Sequence, residues 1–177
     1  MGLILDSTLS WADHIKHVEK KVSSFCGVLR RVSYFVSRSI LLEFYFAHIH
    51  SCLSYLVLTW GRASKSSLMK LQTLQNRCLK TIFNKPFLFP TLQLYSDVLH
   101  NILPIHSMCK LQTVIFVHDT LHNNKFHYNI HIPSVSHNYS TRRANNLYRS
   151  RAFTMFDQKR FSINHWSHAV QPIFYFY

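Results

Sequence analysis

The chain has 177 residues, which allows one domain or one domain with a small satellite, and 47% of them are apolar, enough for a real core. Only 3 Gly and 5 Pro disfavour a sheet with many tight turns and favour helices. Lys and Arg number 20 against 7 Asp and Glu, a formal charge of +13. Such a charge indicates a polyanionic partner, nucleic acid before anionic membrane; a merely basic protein with solvated charges is the alternative.

The cysteines are widely separated, and the sequence contains neither a C-x-x-C motif nor an N-terminal secretory signal. These features disfavour a zinc knuckle and a disulfide framework. We expect reduced core cysteines in an intracellular protein, with nucleus or cytoplasm undecided. The four positions are Cys26, Cys52, Cys78 and Cys109.

No pattern of a catalytic or metal site is present in the sequence. Glycines at positions 2, 27 and 61 cannot form a phosphate-binding loop, and no two of the seven acids are adjacent. His118 and His122 are spaced i, i+4, and His14 and His17 are spaced i, i+3, but neither pair has a third ligand in pattern. We therefore expect no catalytic residue, no metal and no cofactor in this chain.

The first element is predicted to be a short strand followed by a long helix. Gly2 to Leu5 is an apolar run of strand type, and the turn formers Asp6 and Ser7 end it. Ser10 is the predicted N-cap of a helix that continues to Val32. The predicted buried stripe of this helix is Ile15, Val18, Val22, Phe25, Leu29 and Val32.

A second helix is predicted from about Ser39 to Leu58, apolar almost all round and therefore central in a bundle. It overlaps Phe44 to Gly61, 18 residues without Asp, Glu, Lys or Arg, which is close to the length of a membrane span. Two histidines and a serine interrupt this stretch, so a buried core helix is favoured over a membrane helix. Gly61 is predicted to end the helix in the left-handed conformation.

The third helix is predicted from Ser66 to Asn84, with Pro86 and Pro90 after it. Its apolar face carries Leu68, Leu71, Leu74, Cys78, Leu79 and Ile82. Lys70, Arg77 and Lys80 lie on roughly the opposite face, and the surrounding sequence contains no acid. A basic face of one sign fits a phosphate backbone, although an ordinary solvated face is the alternative.

Beyond the linker we predict a short helix from Thr91 to Leu103, a helix from Ile105 to about His122, and an exposed loop from Asn123 to Tyr139. The predicted fold is mainly α: a bundle of three long helices plus further C-terminal helices, with a short N-terminal strand that lacks its sheet.

Two stretches resemble the region after the catalytic palm in non-LTR (LINE-type, jockey-like) retrotransposon reverse transcriptases. One is an apolar strand followed by L-D-x-x-L-S-W-x-x-H-I-x-x-V-x-x-K-V, and the other is L-x-x-L-Q-x-x-C-L-K-x-I. The first stretch matches at Gly2, Leu3, Asp6, Leu9, Ser10, Trp11, His14, Ile15, Val18, Lys21, Val22, Gly27, Leu29, Arg30 and Arg31. The second matches at Leu71, Leu74, Gln75, Cys78, Leu79, Lys80 and Ile82, and Tyr55 with Trp60-Gly61 resembles the family's Y…W-G signature.

The resemblance implies a thumb-like helical bundle at residues 1–85 and a post-thumb helical or irregular region at 86–177. It implies a non-catalytic part of an RNA-directed DNA polymerase, whose Mg²⁺ belongs to a palm outside this chain, and Gly2 to Leu5 would be the last strand of the palm sheet. The partners would be a primer–template duplex and that palm, with no small-molecule substrate. The nucleic-acid-binding candidates are Arg30, Arg31, Lys70, Arg77, Lys80, Arg142 and Arg143.

Three alternatives stay open. The chain could be a protein-interaction helical module, a membrane-associated module anchored by Phe44 to Gly61, or a decayed transposon copy without a selected function. Gly27 within a helix indicates either close approach of a helix or a nucleic-acid backbone, or sequence drift.

Overall fold

The computed structural model describes residues 2–96 and 102–122. Helices account for most of this part of the chain and it contains no strand, which confirms the prediction of a mainly α fold. The helices are α1 (Ala12–Val32), α2 (Arg38–Phe44), a π-helical segment (Tyr45–His50), α3 (Ser51–Ser54), α4 (Val57–Trp60), α5 (Lys65–Ile82), α6 (Thr91–Ser96) and α7 (Ile105–His122).

The first part of the chain forms three helical layers, which are α1, the segment from α2 to α4, and α5, and the middle layer is antiparallel to the other two. The His14 and Trp60 rings lie 6.1 Å apart at the start of α1, and the Phe25 and His48 rings lie 5.0 Å apart further along α1. At the other end the guanidinium of Arg38, the first residue of α2, lies 5.5 Å from the Phe83 ring just after α5. The segment from α2 to α4 therefore returns beside α1, and α5 runs in the direction of α1.

The predicted apolar stripes form the core. In α1, Ile15, Val18, Val22 and Leu29 are buried, whereas Phe25 is half-buried and Val32 is exposed. The buried residues of α5 are Leu71, Leu74, Gln75, Cys78, Leu79 and Ile82, and Ser64 caps this helix by accepting from the N–H of Ser67.

The predicted second helix is not continuous. A π-helical segment interrupts it at Tyr45–His50, and Leu56 takes a left-handed conformation (φ 48°) between α3 and α4. The Trp60 indole donates to the Tyr55 carbonyl at 2.8 Å, which stabilises this break. In the described part of the chain, no helix has the length and apolar character needed to cross a membrane.

The N-terminal segment differs from prediction in two ways. Residues 2–6 form no strand, since no neighbouring strand is present within the described residues to accept its hydrogen bonds. Trp11, not the predicted Ser10, is the N-cap residue, and the Ser10 hydroxyl accepts only a long bond (3.4 Å) from the Ala12 N–H. Asp6 organises the start of α1: its carboxylate accepts from the N–H groups of Ser10 and Trp11 and from the hydroxyls of Thr8 and Ser10. These bonds, led by the Ser10 hydroxyl, hold the pKa of Asp6 well below its usual range.

Two glycines have roles other than those predicted. Gly61 has φ −63°, so it is not in the left-handed region. Glycine is needed there because a Cβ would lie 2.7 Å from the Cys109 Sγ and 2.4 Å from the Val57 carbonyl oxygen. Gly27 has nothing within 4 Å of a Cβ, so no other helix in the described part of the chain approaches it.

Toward the C-terminus, α6 starts at Thr91 as predicted and is described to Ser96, and residues 97–101 lie outside the described residues. The predicted end at Leu103 is wrong, because Ile102 and Leu103 are not helical. α7 has the predicted bounds, with the Pro104 carbonyl accepting from the Met108 N–H. The predicted loop from Asn123 to Tyr139 lies outside the described residues. The chain groups into two units, Met1–Cys109 and Lys110–Tyr177. The domain boundary predicted after residue 85 stays a prediction.

The two glycines form a matched pair for substitution. We expect Gly61→Ala to lower the free energy of unfolding, because the added Cβ must displace Cys109 or the backbone at Val57. We expect Gly27→Ala to raise it by about 0.5–1 kcal/mol, because the position is helical and open. Urea unfolding of both variants measures this, and a destabilising Gly27→Ala would contradict the open environment.

His14 is a buried polar residue within the bundle. Its side chain is 2% exposed, its Nδ1 accepts a long bond (3.4 Å) from the Ile4 N–H, and its Nε2 has no partner among the described residues. Burial, with a smaller contribution from His17, lowers the pKa of His14 below its ordinary 6.5, and burial also lowers the pKa of His50. Both side chains are therefore neutral in the folded protein near neutral pH.

This burial predicts acid sensitivity. The unfolded chain binds protons at both positions below pH 6.5 before the folded chain does, so stability falls as pH drops through this window. The loss reaches up to about 1.4 kcal/mol per pH unit for each group. Thermal unfolding between pH 7.5 and 5.5 should show a shallower pH slope in His14→Gln and in His50→Gln than in the unsubstituted chain. An unchanged slope in both variants would contradict the assignment of neutral buried imidazoles.

Candidate nucleic-acid interface

A groove with a cavity volume of about 1100 Å³ lies where α1 and α5 end. Its walls come from the last turns of those helices, from the start of α2 and from the segment that follows α5. The lining includes charged and aromatic side chains and both cysteines of a pair, namely Arg30, Tyr34, Arg38, Arg77, Lys80, Lys85 and Phe87, together with Cys26 and Cys78.

The groove is strongly positive. Five of its lining residues are Arg or Lys, and no lining residue is acidic. The carbonyl ends of α1 and α5 offset part of this charge, but each contributes only about half a negative charge. A net charge of about +4 therefore remains, which favours binding of a polyanion.

Three of the cations contact aromatic residues of the segment that follows α5, two through the ring and one through the backbone carbonyl. Arg38 lies over Phe83 at 5.5 Å, Lys85 lies over Phe89 at 4.7 Å, and the Lys80 ammonium donates to the Phe87 carbonyl at 2.6 Å. These contacts fix the segment after α5 as one wall of the groove without neutralising any charge.

Arg30 and Arg77 are the groove cations most accessible to a bound anion. Both are exposed, and within residues 2–96 and 102–122 neither guanidinium forms an ion pair or a hydrogen bond. Guanidinium groups bind phosphate oxygens through two parallel hydrogen bonds, so these two positions suit a phosphate backbone.

The structure brings together three of the seven predicted contact residues, namely Arg30, Arg77 and Lys80. Arg31 and Lys70 do not line the groove, and Arg142 and Arg143 lie outside the described residues. Sequence reasoning missed Tyr34, Lys85 and Phe87, which lie in the segments after α1 and α5, and Arg38, which is the first residue of α2. A pattern along one face of a long helix therefore contains none of them. For Lys85 a signal existed, because it belongs to the acid-free basic run around α5.

A buried amide supports the groove from within the bundle. Gln75 is fully buried, and its Nε2 donates to the Tyr45 hydroxyl at 3.0 Å and to the Leu103 carbonyl at 2.9 Å. Burial raises the pKa of Tyr45 to about 12, so this phenol stays protonated. The bonds join α5 to the π-helical segment and to the residues before α7.

Gln72, one turn earlier, extends the same network. Its Oε1 accepts from the Ile105 N–H at 2.8 Å, and its Nε2 donates to the Tyr95 hydroxyl at 2.9 Å. The Tyr95 hydroxyl in turn donates to Asn76 at 2.8 Å, and Asn76 lines the groove. The middle turns of α5, which precede the groove end of the helix, are therefore held in place by polar contacts.

The expectation of four reduced cysteines is wrong for two of them. Cys26 of α1 and Cys78 of α5 form a disulfide with a Cα–Cα distance of 5.6 Å, and both line the groove. They are separated by 52 positions, and only the packing of α1 on α5 brings them together. Cys52 and Cys109 are buried thiols outside the disulfide, as expected, and burial raises the pKa of Cys109 to about 11.

No group of three His, Cys, Asp or Glu that could hold a metal ion occurs among residues 2–96 and 102–122.

No protein-family model matches the chain, and no curated protein or solved structure is significantly similar to it.

The disulfide predicts a redox-dependent stability. Reducing this disulfide, which joins residues 52 positions apart, should lower the free energy of unfolding by roughly 2–4 kcal/mol, because the reduced unfolded chain gains conformational freedom. Urea unfolding with and without dithiothreitol measures this cost. The Cys26→Ala/Cys78→Ala variant is the control, since its midpoint should not respond to the reductant. Equal midpoints for the oxidised and reduced unsubstituted chain would contradict a stabilising disulfide.

Proposed function

We propose that this chain is a non-catalytic, nucleic-acid-binding part of a reverse transcriptase of the non-LTR retrotransposon type, equivalent to its thumb. In this role the groove at the ends of α1 and α5 holds the phosphate backbone of a primer–template. Polymerisation, with its Mg²⁺, would belong to a palm domain outside this chain. The observation that carries the proposal is the gathering of five cations without an acid in one groove.

The resemblance supports the proposal through residues that build the bundle. Most matched positions in α1 and α5 are buried, among them Ile15, Val22, Leu71 and Gln75. A shared core pattern is an argument for a shared fold, and function then depends on the surface of that fold. Arg30 and Lys80 are matched positions that also line the groove, so they connect the resemblance with the proposed contact.

The positions of the cations, and not only their number, support the proposal. Arg30 and Arg77 come from different helices, and Arg38 and Lys85 come from the segments beside those helices. Charge on an ordinary solvated surface has no reason to converge from four segments onto one concavity. A phosphate backbone repeats its charge along a line, and a groove lined on several sides can contact several phosphates at once.

A protein-interaction module is the second candidate, and exposed apolar side chains favour it. Phe35, Leu88 and Leu92 are each at least 87% exposed, which is unusual for large apolar residues outside an interface. A palm domain is one partner that would cover them, so this candidate is compatible with the first.

The salt dependence of nucleic-acid binding tests the proposal. Each phosphate contact adds about 0.9 to the slope of log K against log salt for a duplex. We expect Arg30→Ala/Arg77→Ala to lower this slope by about 1.8 for a blunt RNA–DNA hairpin, measured by fluorescence anisotropy.

Arg31→Ala/Lys70→Ala is the matched control, since it removes the same charge from α1 and α5 at positions that do not line the groove. This control should keep the slope of the unsubstituted chain. Equal loss of slope in both double variants would show that charge, not the groove, determines binding, and would overturn the proposal.

A further inference from the structure

Two exposed aromatic side chains line the basic groove. Tyr34 is 81% exposed and Phe87 is 77% exposed, and both lie among the five cations. Large aromatic side chains usually bury most of their surface. Their exposure within a strongly charged groove indicates that a ligand covers them.

The backbone presents both rings in ordered turns. Tyr34 lies in the turn after α1, in which the Phe35 N–H donates to the Val32 carbonyl at 2.9 Å. Phe87 lies between Pro86 and Pro90 in a turn closed by the bond from the Phe89 N–H to the Pro86 carbonyl, at 3.0 Å. Two prolines restrict this segment before any ligand binds, so less freedom is lost on binding.

Lys80 fixes the position of Phe87 further. Its ammonium donates to the Phe87 carbonyl at 2.6 Å and lies 5.8 Å from the ring centroid. That distance is close to the about 6 Å limit of a cation–π contact, so the ammonium leaves most of the ring available. The groove therefore offers flat apolar surfaces at fixed positions beside cations.

The paired interior of a duplex cannot use such surfaces, because its bases stack on one another and only phosphates and groove edges face outward. An unpaired segment offers both a charged backbone and open base faces, and proteins bind such segments with cations and stacking aromatic side chains.

We infer that the groove binds an unpaired stretch of nucleic acid, with bases stacked on Tyr34 and Phe87 and phosphates on Arg30 and Arg77. This inference rests on the proposed function and specifies its ligand: single-stranded template or primer in preference to duplex.

The test compares a 12-nucleotide single-stranded RNA with a blunt RNA–DNA hairpin of equal phosphate number, both fluorescently labelled, on the full chain. Tyr34→Ala and Phe87→Ala should each weaken binding of the single strand by about 5- to 150-fold, the usual effect of losing one stacking ring. Both should change hairpin binding less than two-fold. Tyr34→Phe and Phe87→Trp should retain single-strand binding, since they keep a ring.

Phe35→Ala and Leu88→Ala are the matched controls, because these residues are at least as exposed, adjoin the two rings in sequence and do not line the groove. They should leave both affinities unchanged. Thermal unfolding followed by circular dichroism verifies that all variants fold, as expected for exposed positions.

The outcomes separate this inference from the proposed function. If the alanine variants bind the single strand normally while Arg30→Ala/Arg77→Ala still flattens the salt slope, the stacking inference fails and the proposed function stands. If neither probe responds to the groove arginines, both fail. If a 12-residue poly-glutamate peptide binds as tightly as the RNA and with the same dependence on Tyr34 and Phe87, the groove is an acidic-peptide site and the inference is overturned.

Discussion

The packing of α1 against α5 is the contact on which the rest of the described fold depends. Each helix buries one apolar stripe against the bundle, and the Cys26–Cys78 disulfide links the two directly. Because both helices run in the same direction, they end at the same side of the bundle, and the basic residues of both last turns meet there. Each helix end favours nearby cations, so the arrangement tolerates a charge density that a random surface would resist. The positive groove is thus a consequence of how the core packs.

Apolar periodicity was sufficient to predict the long helices. The stripe that includes Ile15 and Leu29 predicted α1, and the helix predicted from Ile105 to about His122 is α7. The second helix was predicted as continuous because burial on all sides gives the same apolar run for a straight helix, a π-helical segment and the break at Leu56. Local hydrogen bonds such as that from the Trp60 indole determine which of these forms, and such bonds have no period in the sequence.

The candidate site was predictable in its charges and not in its shape. Arg77 and Lys80 were found because a helical face of one sign is visible in the sequence. Tyr34 was missed because it belongs to the connection between α1 and α2, and Arg38 because it is the first residue of the short α2; only the packed bundle determines where both lie. The disulfide was not predicted for the same reason, because spacing along the chain does not give the separation of two residues in space.

The central claim is that the groove at the ends of α1 and α5 is where nucleic acid binds. Hydrogen–deuterium exchange of the full chain, with and without a saturating single-stranded RNA, tests it most directly. We expect protection confined to the segments 30–38 and 77–91, which contain most of the groove-lining residues, with little change in the first turns of α1 and α5. Protection concentrated instead on the exposed lysines of α1, at positions 16, 20 and 21, or no protection in either region at saturation, would contradict it.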